Sequence, residues 1–433
     1  MAETLNVGLL GCGNVGAAVA RMLHEHAGDI ARRSGARIEL ACVAVRDPSR
    51  DREVPIPPER FTDDPMRVVR DAGIDVIVEL IGGVEPARSL ILAAFAEGKS
   101  VVTANKELLS RHGRELFAAA ARAGADLLYE ASVGGGIPLI RPLRESLAGD
   151  RITRFMGIVN GTTNYILTRM TEAELSLDEA LAEAQSLGFA EADPAADVEG
   201  YDAAAKAAIL ATIAFDVPVA AGDVYREGIT GIGPDDIAFA RRLGYVVKLL
   251  AIGEVMKDEV SVRVHPAMIP GDHPLAAVRE SFNAVFIEGE KVGSLMLYGL
   301  GAGGDPTAAS VVGDLIELAR NRSRGADRVA TVGHVEHLVS RRLKPVDELS
   351  AQYYILMQVA DRPGVLAAIA TAFARHEVSI KSVWQEGHGR EAQLVLITHR
   401  AGEAGLRACV AELRGIDTVE AVSSVIRVEA GEP

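Results

Sequence analysis

The chain has 433 residues, of which 48% are hydrophobic and 24% are charged, as in a globular protein of two or three domains. The net charge of -15 argues against nucleic acid or an anionic membrane as a partner. We expect no signal peptide, because the start of the sequence lacks a basic segment followed by an apolar one. We expect no membrane span, because no apolar run reaches the roughly 18 residues that a bilayer requires. The three cysteines are far apart, which predicts reduced thiols and a cytoplasmic location.

The first predicted elements alternate between strands and helices. A buried strand at residues 4–10 runs into a glycine-rich turn and then a helix that ends near His26. The elements that follow are strands at 39–45, 75–82 and 100–104 and helices at 86–97 and 107–123. Such alternation predicts an α/β fold with a parallel, doubly wound sheet.

The pattern changes after residue 130. Glycine-rich turns, two long helices and scattered strands predict a separate α+β domain over residues 131–302. A turn and a helix rich in small residues follow, and we expect the segment 303–340 to return to the first domain. Residues 350–430 then form a compact βαββαβ unit. Its predicted elements are a strand at 353–360, a helix at 364–376, strands at 379–386 and 392–399, a helix at 402–414 and a strand at 418–428.

The turn after the first strand has the glycine spacing of a dinucleotide-binding site. Gly11 permits the tight turn, Gly13 lets a pyrophosphate approach the backbone, and Gly16 lets the helix pack closely on the strand. A purely structural turn is the alternative. The context predicts a Rossmann-type NAD(P)-binding domain over residues 1–130.

The choice between NAD and NADP depends on the end of the second strand. An insertion at residues 28–37 lengthens the unit, and the strand ends in Arg46 and Asp47. Arg46 would neutralise a 2′-phosphate, whereas Asp47 would bind a ribose hydroxyl. Two solvated loop charges are the alternative. The sequence favours NADP only slightly.

Polar residues follow the strand at 100–104. Thr103, Asn105 and Lys106 stand at its C-terminal end, where parallel sheets bind their ligands. Lys106 would orient a substrate oxygen or carboxylate beside a nicotinamide. An exposed lysine in the first turn of a helix is the alternative.

Two further loops contain polar or glycine-rich sequences. YEASVGGGIP (129–138) can turn backbone carbonyls inward beside Glu130, which suits a hard cation, although a flexible crossover between domains would have the same composition. VNGTTNYIL (159–167) has hydroxyl and amide groups that would bind a polar small molecule or cap a helix.

A lysine stands alone in an apolar helix. Between residues 203 and 214 the only polar side chains are Lys206 and Thr212, so the helix is predicted to be buried. Asp202 lies one turn before Lys206 and shares its face. A buried lysine beside carboxylates suits a proton shuttle or an anchor, and Glu191 could hold a substrate ammonium. A structural buried ion pair is the alternative.

These motifs together resemble homoserine dehydrogenases that carry a C-terminal ACT domain. The resemblance covers nearly the whole chain through the ordered motifs GLLGCGNVG, TANK, YEASVGGGIP, NGTTNYIL, EADPAADVEGYDAAAK, GAGGDPTA and the tail. It implies reversible NAD(P)-dependent interconversion of L-homoserine and L-aspartate 4-semialdehyde in threonine, methionine and isoleucine synthesis. It also makes residues 131–302 a catalytic and dimerisation domain.

The resemblance assigns roles to individual residues. Lys206 would be the proton donor and acceptor, assisted by Lys106 and Asp202. The implied substrate-binding residues are Glu191, Asp197, Thr162 and Lys106. The implied cofactor-binding residues are Gly11, Gly13, Asn14, Val15, Gly16, Arg46, Thr103, Lys106, Gly301 and Gly303. The implied ligands of a monovalent cation, typically sodium, are Glu130, Val133, Gly135 and Ile137.

The C-terminal unit resembles an ACT domain, which implies pairing between copies and amino-acid binding. L-threonine is the effector that the resemblance implies, and a homodimer or homotetramer is expected. The implied effector-binding residues are Asp361, Arg362, Pro363 and Gly364. A purely dimerising tail is the alternative.

A protein of another class would share some of these features. A non-catalytic NAD(P)- and amino-acid-sensing regulator would need the same nucleotide-binding turn and the same tail. It would not need Lys106 and Lys206, each of which stands within a complete motif. An aldehyde-oxidising dehydrogenase would need a cysteine nucleophile, and Cys12, Cys42 and Cys409 are not placed for that role.

Overall fold

The computed structural model describes residues 3–323, 338–387 and 392–429. Part of the predicted return segment, 324–337, and the last residue of the predicted tail, 430, lie outside the described residues. The chain divides into two compact units. The first consists of Met1–Phe155, Ala205–Val224 and Asn283–Arg341, and the second of Met156–Ala204, Tyr225–Phe282 and Arg342–Pro433.

The first unit begins with a six-stranded sheet flanked by helices. Its elements are β1 (Glu3–Leu10), α1 (Asn14–Glu25), α2 (Ala27–Ser34), β2 (Ala36–Ala44), β3 (Phe61–Thr62), α3 (Pro65–Arg70), β4 (Val76–Glu79), α4 (Ala87–Ala96), β5 (Ser100–Thr103), α5 (Lys106–Ala123) and β6 (Leu127–Leu128). All strands pair in parallel in the order β3-β2-β1-β4-β5-β6. The predicted doubly wound sheet is confirmed.

Two differences from the predicted elements have local causes. Most of the supposed insertion is the helix α2, which ends at Gly35 in the left-handed conformation, with φ of 79°. Strand β4 stops at Glu79, three residues earlier than predicted. The Glu79 carboxylate accepts the backbone N–H groups of Ile81 and Gly82, which turns the chain out of the sheet.

The middle of the chain contributes elements to both units. They are β7 (Ile152–Ile158), α6 (Gly161–Glu172), α7 (Leu177–Ser186), α8 (Ala195–Val198), α9 (Tyr201–Phe215), β8 (Tyr225–Arg226), α10 (Pro234–Arg242), β9 (Tyr245–Met256), β10 (Glu259–Pro270), β11 (Phe282–Gly289), β12 (Gly293–Leu300) and α11 (Gly304–Ser323). Within residues 131–302 three helices, α6, α7 and α9, reach ten residues, where the sequence predicted two. The boundary between the two units lies within α9.

Helix α11 packs against α1 and shares the core of the parallel sheet. Ala308, Val311 and Leu315 are buried in one cluster with Leu5 and Val19. The small residues of α11 allow this close approach. Within the described residues, the helix at 304–323 therefore packs on the parallel-sheet domain.

The C-terminal part of the second unit contains β13 (Arg342–Leu343), β14 (Ser350–Val359), α12 (Val365–Arg375), β15 (Ile380–Glu386), β16 (Ala392–Thr398), β17 (Ala401–Gly402), α13 (Glu403–Leu413) and β18 (Val419–Val428). The predicted βαββαβ order is confirmed. In this unit the strands continue in the order β9-β10-β18-β14-β16-β15, with β18 parallel to β10 and antiparallel to β14. None of the helices in the described ranges combines the length and apolar character that a bilayer crossing requires.

Candidate active site

Two of the three glycines in the turn after β1 leave no room for side chains. A Cβ on Gly16 would lie 2.2 Å from the Gly11 carbonyl oxygen, and one on Gly11, whose φ is 98°, would lie 2.6 Å from the Leu80 oxygen. The space beside Gly13 is open, with no heavy atom within 4 Å of an added Cβ. Helix α1 begins here with Asn14 and Val15 and has no acidic residue in its first turn. Its free N–H groups therefore suit a pyrophosphate.

A second glycine loop lies against this turn. A Cβ on Gly304 would be 3.1 Å from the Asn14 carbonyl oxygen, and Gly303 has φ of 119°. A Cβ on Gly301 would be 2.0 Å from the Asn283 amide nitrogen. Gly304 therefore lies against the first turn of α1, whereas Gly301 lies against Asn283.

The loop after β2 carries the charges that were considered for cofactor selection. Arg46 is exposed two residues beyond the strand. The Asp47 carboxylate accepts the backbone N–H and hydroxyl of Ser49, and these bonds lower its pKa. Burial raises the pKa of the Cys12 thiol, and the positive charge of Arg52 acts against that rise. Arg52 is thus within electrostatic reach of the glycine turn, whereas Asp47 is committed to its own loop.

The C-terminal end of β5 is tied to its neighbour β4. Thr103 donates its hydroxyl to Glu79 at 2.6 Å and accepts the Asn105 N–H at 3.0 Å, and all three side chains are buried. Asn105 in turn caps α5 through the Leu108 N–H, and its side chain donates to the Gly83 carbonyl. This network fixes the loops at the C-terminal edge of the sheet, with the half-buried Lys106 as the first residue of α5.

The loop at 130–138 is closed by the Glu130 side chain. Its carboxylate accepts the N–H groups of Leu139 at 2.6 Å, Ile140 at 2.9 Å and Arg141 at 2.7 Å. Both carboxylate oxygens already accept hydrogen bonds, and these bonds compete with the expected coordination of a cation by Glu130. The Gly135 carbonyl accepts the Ser310 hydroxyl at 2.6 Å, so the loop is also attached to α11.

Asn160 brings together two acids of the second unit. It caps α6, and its amide nitrogen donates to Asp197 at 2.6 Å and to Asp202 at 2.9 Å. The neighbouring Thr162 donates its hydroxyl to the Phe189 carbonyl at 2.7 Å and so holds the loop that leads to Glu191. The Glu191 side chain is exposed.

Helix α9 carries the lysine that the sequence singled out. Asp202 and Lys206 lie one turn apart, and each is only 8% exposed. Their neighbours Ala203, Ala207 and Leu210 are buried apolar residues. A charge in such surroundings is unfavourable unless an opposite charge or hydrogen bonds compensate it.

The predicted effector turn lines a cavity. Asp361, Arg362, Pro363 and Gly364 border a space of about 370 Å³ together with Gln385, which donates to Asp361 at 3.3 Å. Helix α12 begins at Val365, one residue later than predicted, because Gly364 is in the left-handed conformation with φ of 95°. The cavity lies within the ACT-like part of the second unit.

Three residues with clear structural importance were missed from the sequence. Glu79 and Asn160 orient the residues that motifs had marked, and the charge of Arg52 acts on the pKa of Cys12 in the glycine turn. A carboxylate inside an apolar strand was the available signal for Glu79, and the N-cap position was the signal for Asn160. No pattern distinguished Arg52 from the other arginines of its loop.

Profiles of known protein families match three consecutive parts of the chain. Residues 11–130 match the family profile described as homoserine dehydrogenase, NAD binding domain, and residues 138–316 match that of homoserine dehydrogenase. Residues 353–417 match the ACT domain.

Individual relatives extend this agreement to full length. The chain is 51% identical over 438 residues to a homoserine dehydrogenase of Mycobacterium tuberculosis (99% of this chain, 98% of the relative). The crystal structure of a homoserine dehydrogenase from Thiobacillus denitrificans superposes with a TM-score of 0.92 at 39% identity and covers 99% of both chains. A hyperthermophilic archaeal homoserine dehydrogenase in complex with NADPH has a TM-score of 0.62 at 30% identity over 73% of this chain and 97% of its own. The chain therefore belongs to the homoserine dehydrogenase family, whose members are NAD(P)-dependent oxidoreductases.

Proposed function

We propose that Lys206 is the proton donor and acceptor in the interconversion of L-homoserine and L-aspartate 4-semialdehyde. The observation that carries this role is the burial of Lys206 on an apolar helix, one turn from the buried Asp202. Lys206 takes the proton of the homoserine hydroxyl in oxidation and returns it to the aldehyde oxygen in reduction. A bound nicotinamide supplies the hydride acceptor or donor. The non-catalytic regulator is not favoured by the family matches.

In this proposal the acids near α9 position the lysine and bind the substrate. Asp202, held by Asn160, supports the lysine and the reacting hydroxyl, and Asp197 belongs to the same hydrogen-bonded group. The exposed Glu191 receives the substrate ammonium. Thr162 acts indirectly, because its hydroxyl proton is already donated to the Phe189 carbonyl.

Cofactor selection follows from the charges at the glycine turn. We propose a preference for NADP, with Arg46 and Arg52 as the residues that attract a 2′-phosphate. The engagement of Asp47 with Ser49 supports this choice, since a carboxylate free to bind the ribose would favour NAD. Lys106, at the start of α5, orients the substrate beside the nicotinamide, and Thr103 acts through its bond to Glu79.

A monovalent cation is proposed at the 130–138 loop, held by backbone carbonyls of Glu130, Val133, Gly135 and Ile137. The carboxylate of Glu130 is engaged, which leaves carbonyl oxygens as the ligands, and the Gly135 oxygen would be shared with the Ser310 hydroxyl. Such a ligand set suits a weakly bound sodium ion. Exchange of sodium for a bulky organic cation should lower activity. Equal activity in both buffers would count against the site.

Threonine is proposed as the effector of the cavity at Asp361–Gly364, and self-association as the state of the enzyme. Strand β12 exposes Met296, Tyr298 and Leu300, an apolar edge that a second copy would cover. Threonine titration of activity and light scattering of the full chain test these two proposals. The role in amino-acid biosynthesis and the cytoplasmic location remain predictions.

The experiment for the main proposal is nicotinamide reduction by the purified chain with L-homoserine, run in parallel with NAD and NADP. We expect homoserine-dependent reduction, faster at limiting NADP than at limiting NAD. Reduction that favours NAD would contradict the role of Arg46 and Arg52 alone. No reduction by folded protein that binds cofactor would contradict the proposed role of Lys206.

A further inference from the structure

A second cavity lies in the first unit, away from the glycine turns. It measures about 320 Å³ and is bordered by α5, by the C-terminal half of α9 and by residues 218–223. Its walls are mainly apolar and include Leu109, Phe117, Ile209 and Val219. The size lies at the lower end of cavities that hold small ligands.

The wall at 218–223 is fixed by side-chain hydrogen bonds. The Thr212 hydroxyl donates to the Ala208 carbonyl at 2.9 Å and accepts the Val219 N–H at 3.2 Å. Asp223 accepts the Ala220 N–H through Oδ2 at 2.9 Å. These hydrogen bonds hold Val219 against α9 and close the turn at residues 220–223, so this wall of the cavity is fixed.

Helix α5 contains a glycine where it faces this space. Gly113 lies in the interior of the helix, a position at which glycine lowers helix stability relative to alanine. A Cβ there would lie 3.2 Å from the Phe117 ring. Glycine thus lets the ring lie along the helix and form the floor of the cavity.

Opposite charges stand at the rim. Arg114 is exposed, and its side chain makes no ion pair or hydrogen bond with any residue in the described ranges. Asp223 keeps its second carboxylate oxygen free of bonds to those residues. A cation and an anion above an apolar floor match the carboxylate, the ammonium and the side chain of an apolar α-amino acid.

We propose that this cavity binds an apolar α-amino acid, with its carboxylate at Arg114, its ammonium at Asp223 and its side chain against Phe117 and Ile209. The site is separate from the cavity at Asp361–Gly364 and goes beyond the proposed function. Its two helical walls are the helices that carry Lys106 and Lys206. Binding is measured without turnover, so its failure is distinguishable from a failure of the proposed chemistry.

The test is calorimetric titration of the full chain with L-leucine, with 4-methylpentanoate and L-leucinamide as probes that lack one charge. We expect leucine to bind with a Kd on the order of 1 mM. The Arg114→Gln variant should weaken leucine by about tenfold, because it removes a charged partner of the carboxylate. Leucinamide should bind Arg114→Gln and the original chain equally weakly.

Arg122→Gln is the matched control, because Arg122 is an exposed arginine at the end of the same helix. It should bind leucine as the original chain does. Leucine binding that is absent at about 50 mM, or equally strong in Arg114→Gln, would overturn the site. The second result would indicate binding elsewhere, including the ACT cavity.

Discussion

Buried polar side chains concentrate around the residues proposed for catalysis. Lys206, Asp202 and Asn160 are each less than a tenth exposed, in a region where most neighbours are apolar. Burial of such groups is unfavourable unless hydrogen bonds or charges compensate it. Asn160 supplies that compensation to Asp202 and Asp197 with a single amide group.

Replacement of Lys206 tests the proton transfer. In Lys206→Met the side chain keeps its length and helix propensity, so the fold should persist. We expect kcat for homoserine oxidation to fall by about 10²–10⁴-fold, while fluorescence titration still detects cofactor binding. Lys291→Met, at an exposed lysine, is the control and should retain full activity. Near-normal turnover in Lys206→Met would exclude the proposed role.

His265 predicts acid sensitivity of the fold. It is fully buried on β10, and burial, reinforced by the charge of Arg427, lowers its pKa from 6.5 to about 3. The unfolded chain therefore binds a proton between these values that the folded chain does not, so stability falls as the pH drops from about 6.5 towards 3. Each pKa unit corresponds to about 1.4 kcal/mol.

Urea unfolding at pH 7 and pH 5 measures this contribution. The stability difference between the original chain and His265→Leu should shrink at pH 5, because only the original chain loses the His265 contribution. An unchanged difference would mean that His265 has an ordinary pKa in the fold.

At the scale of elements, α1 is placed by contacts that exclude side chains. Gly16 touches the Gly11 carbonyl, and Gly11 touches the β4–α4 loop at Leu80. The position of the helix N-terminus, and hence of the N–H groups that we propose to bind the phosphates, depends on this close approach.

A matched pair of alanine substitutions tests that dependence. Gly16→Ala would place a Cβ 2.2 Å from a backbone oxygen, so α1 must shift, and we expect cofactor Kd to rise by about tenfold or more. In Gly28→Ala the added Cβ would meet only the flexible end of Arg32 at 3.9 Å on the exposed α2. That variant should bind cofactor normally and be slightly more stable. Equal cofactor affinity in both variants would contradict the argument.

At the scale of the whole molecule, the ACT-like part is joined to the rest of the second unit by main chain and by charge. Strand β18 pairs with β10 through Arg427 and Val428, and Glu429 donates its N–H to Met268 at 2.9 Å. Arg427 also donates to Glu227 at 3.0 Å and to Glu403 at 2.6 Å. Deletion of the tail would therefore expose an edge of β10, so effector experiments require the full chain.

The buried charges at this junction predict that loss of one partner lowers the stability more than loss of both partners. Burial opposes ionisation of Glu403, but Arg427 and hydrogen bonding hold its pKa below the usual value. Arg427→Met should destabilise the chain by about 3 kcal/mol, because it leaves Glu403 buried without its main partner. Glu403→Met added to Arg427→Met should recover part of the loss in urea unfolding. Additive losses would show that the two groups are not coupled.

The sequence by itself determined the alternating elements of the parallel sheet, the βαββαβ tail and the motifs that contain the candidate residues. These follow from local periodicity, glycine spacing and helix signals, which depend on neighbours in the chain. The long strands β9 and β10 gave weaker signals, because they are buried on both faces and lose the alternation of polar and apolar residues.

Only the tertiary structure decided which partners the polar side chains take. Asn160 meets Asp197 and Asp202, Glu130 closes its loop onto residues 139–141, and Asp47 is occupied by Ser49. Apart from Ser49, these partners lie 9 to 42 residues away in sequence, and no local pattern specifies such distant pairs. The reason is that a hydrogen bond depends on positions within a few tenths of an ångström, which packing of the whole chain sets.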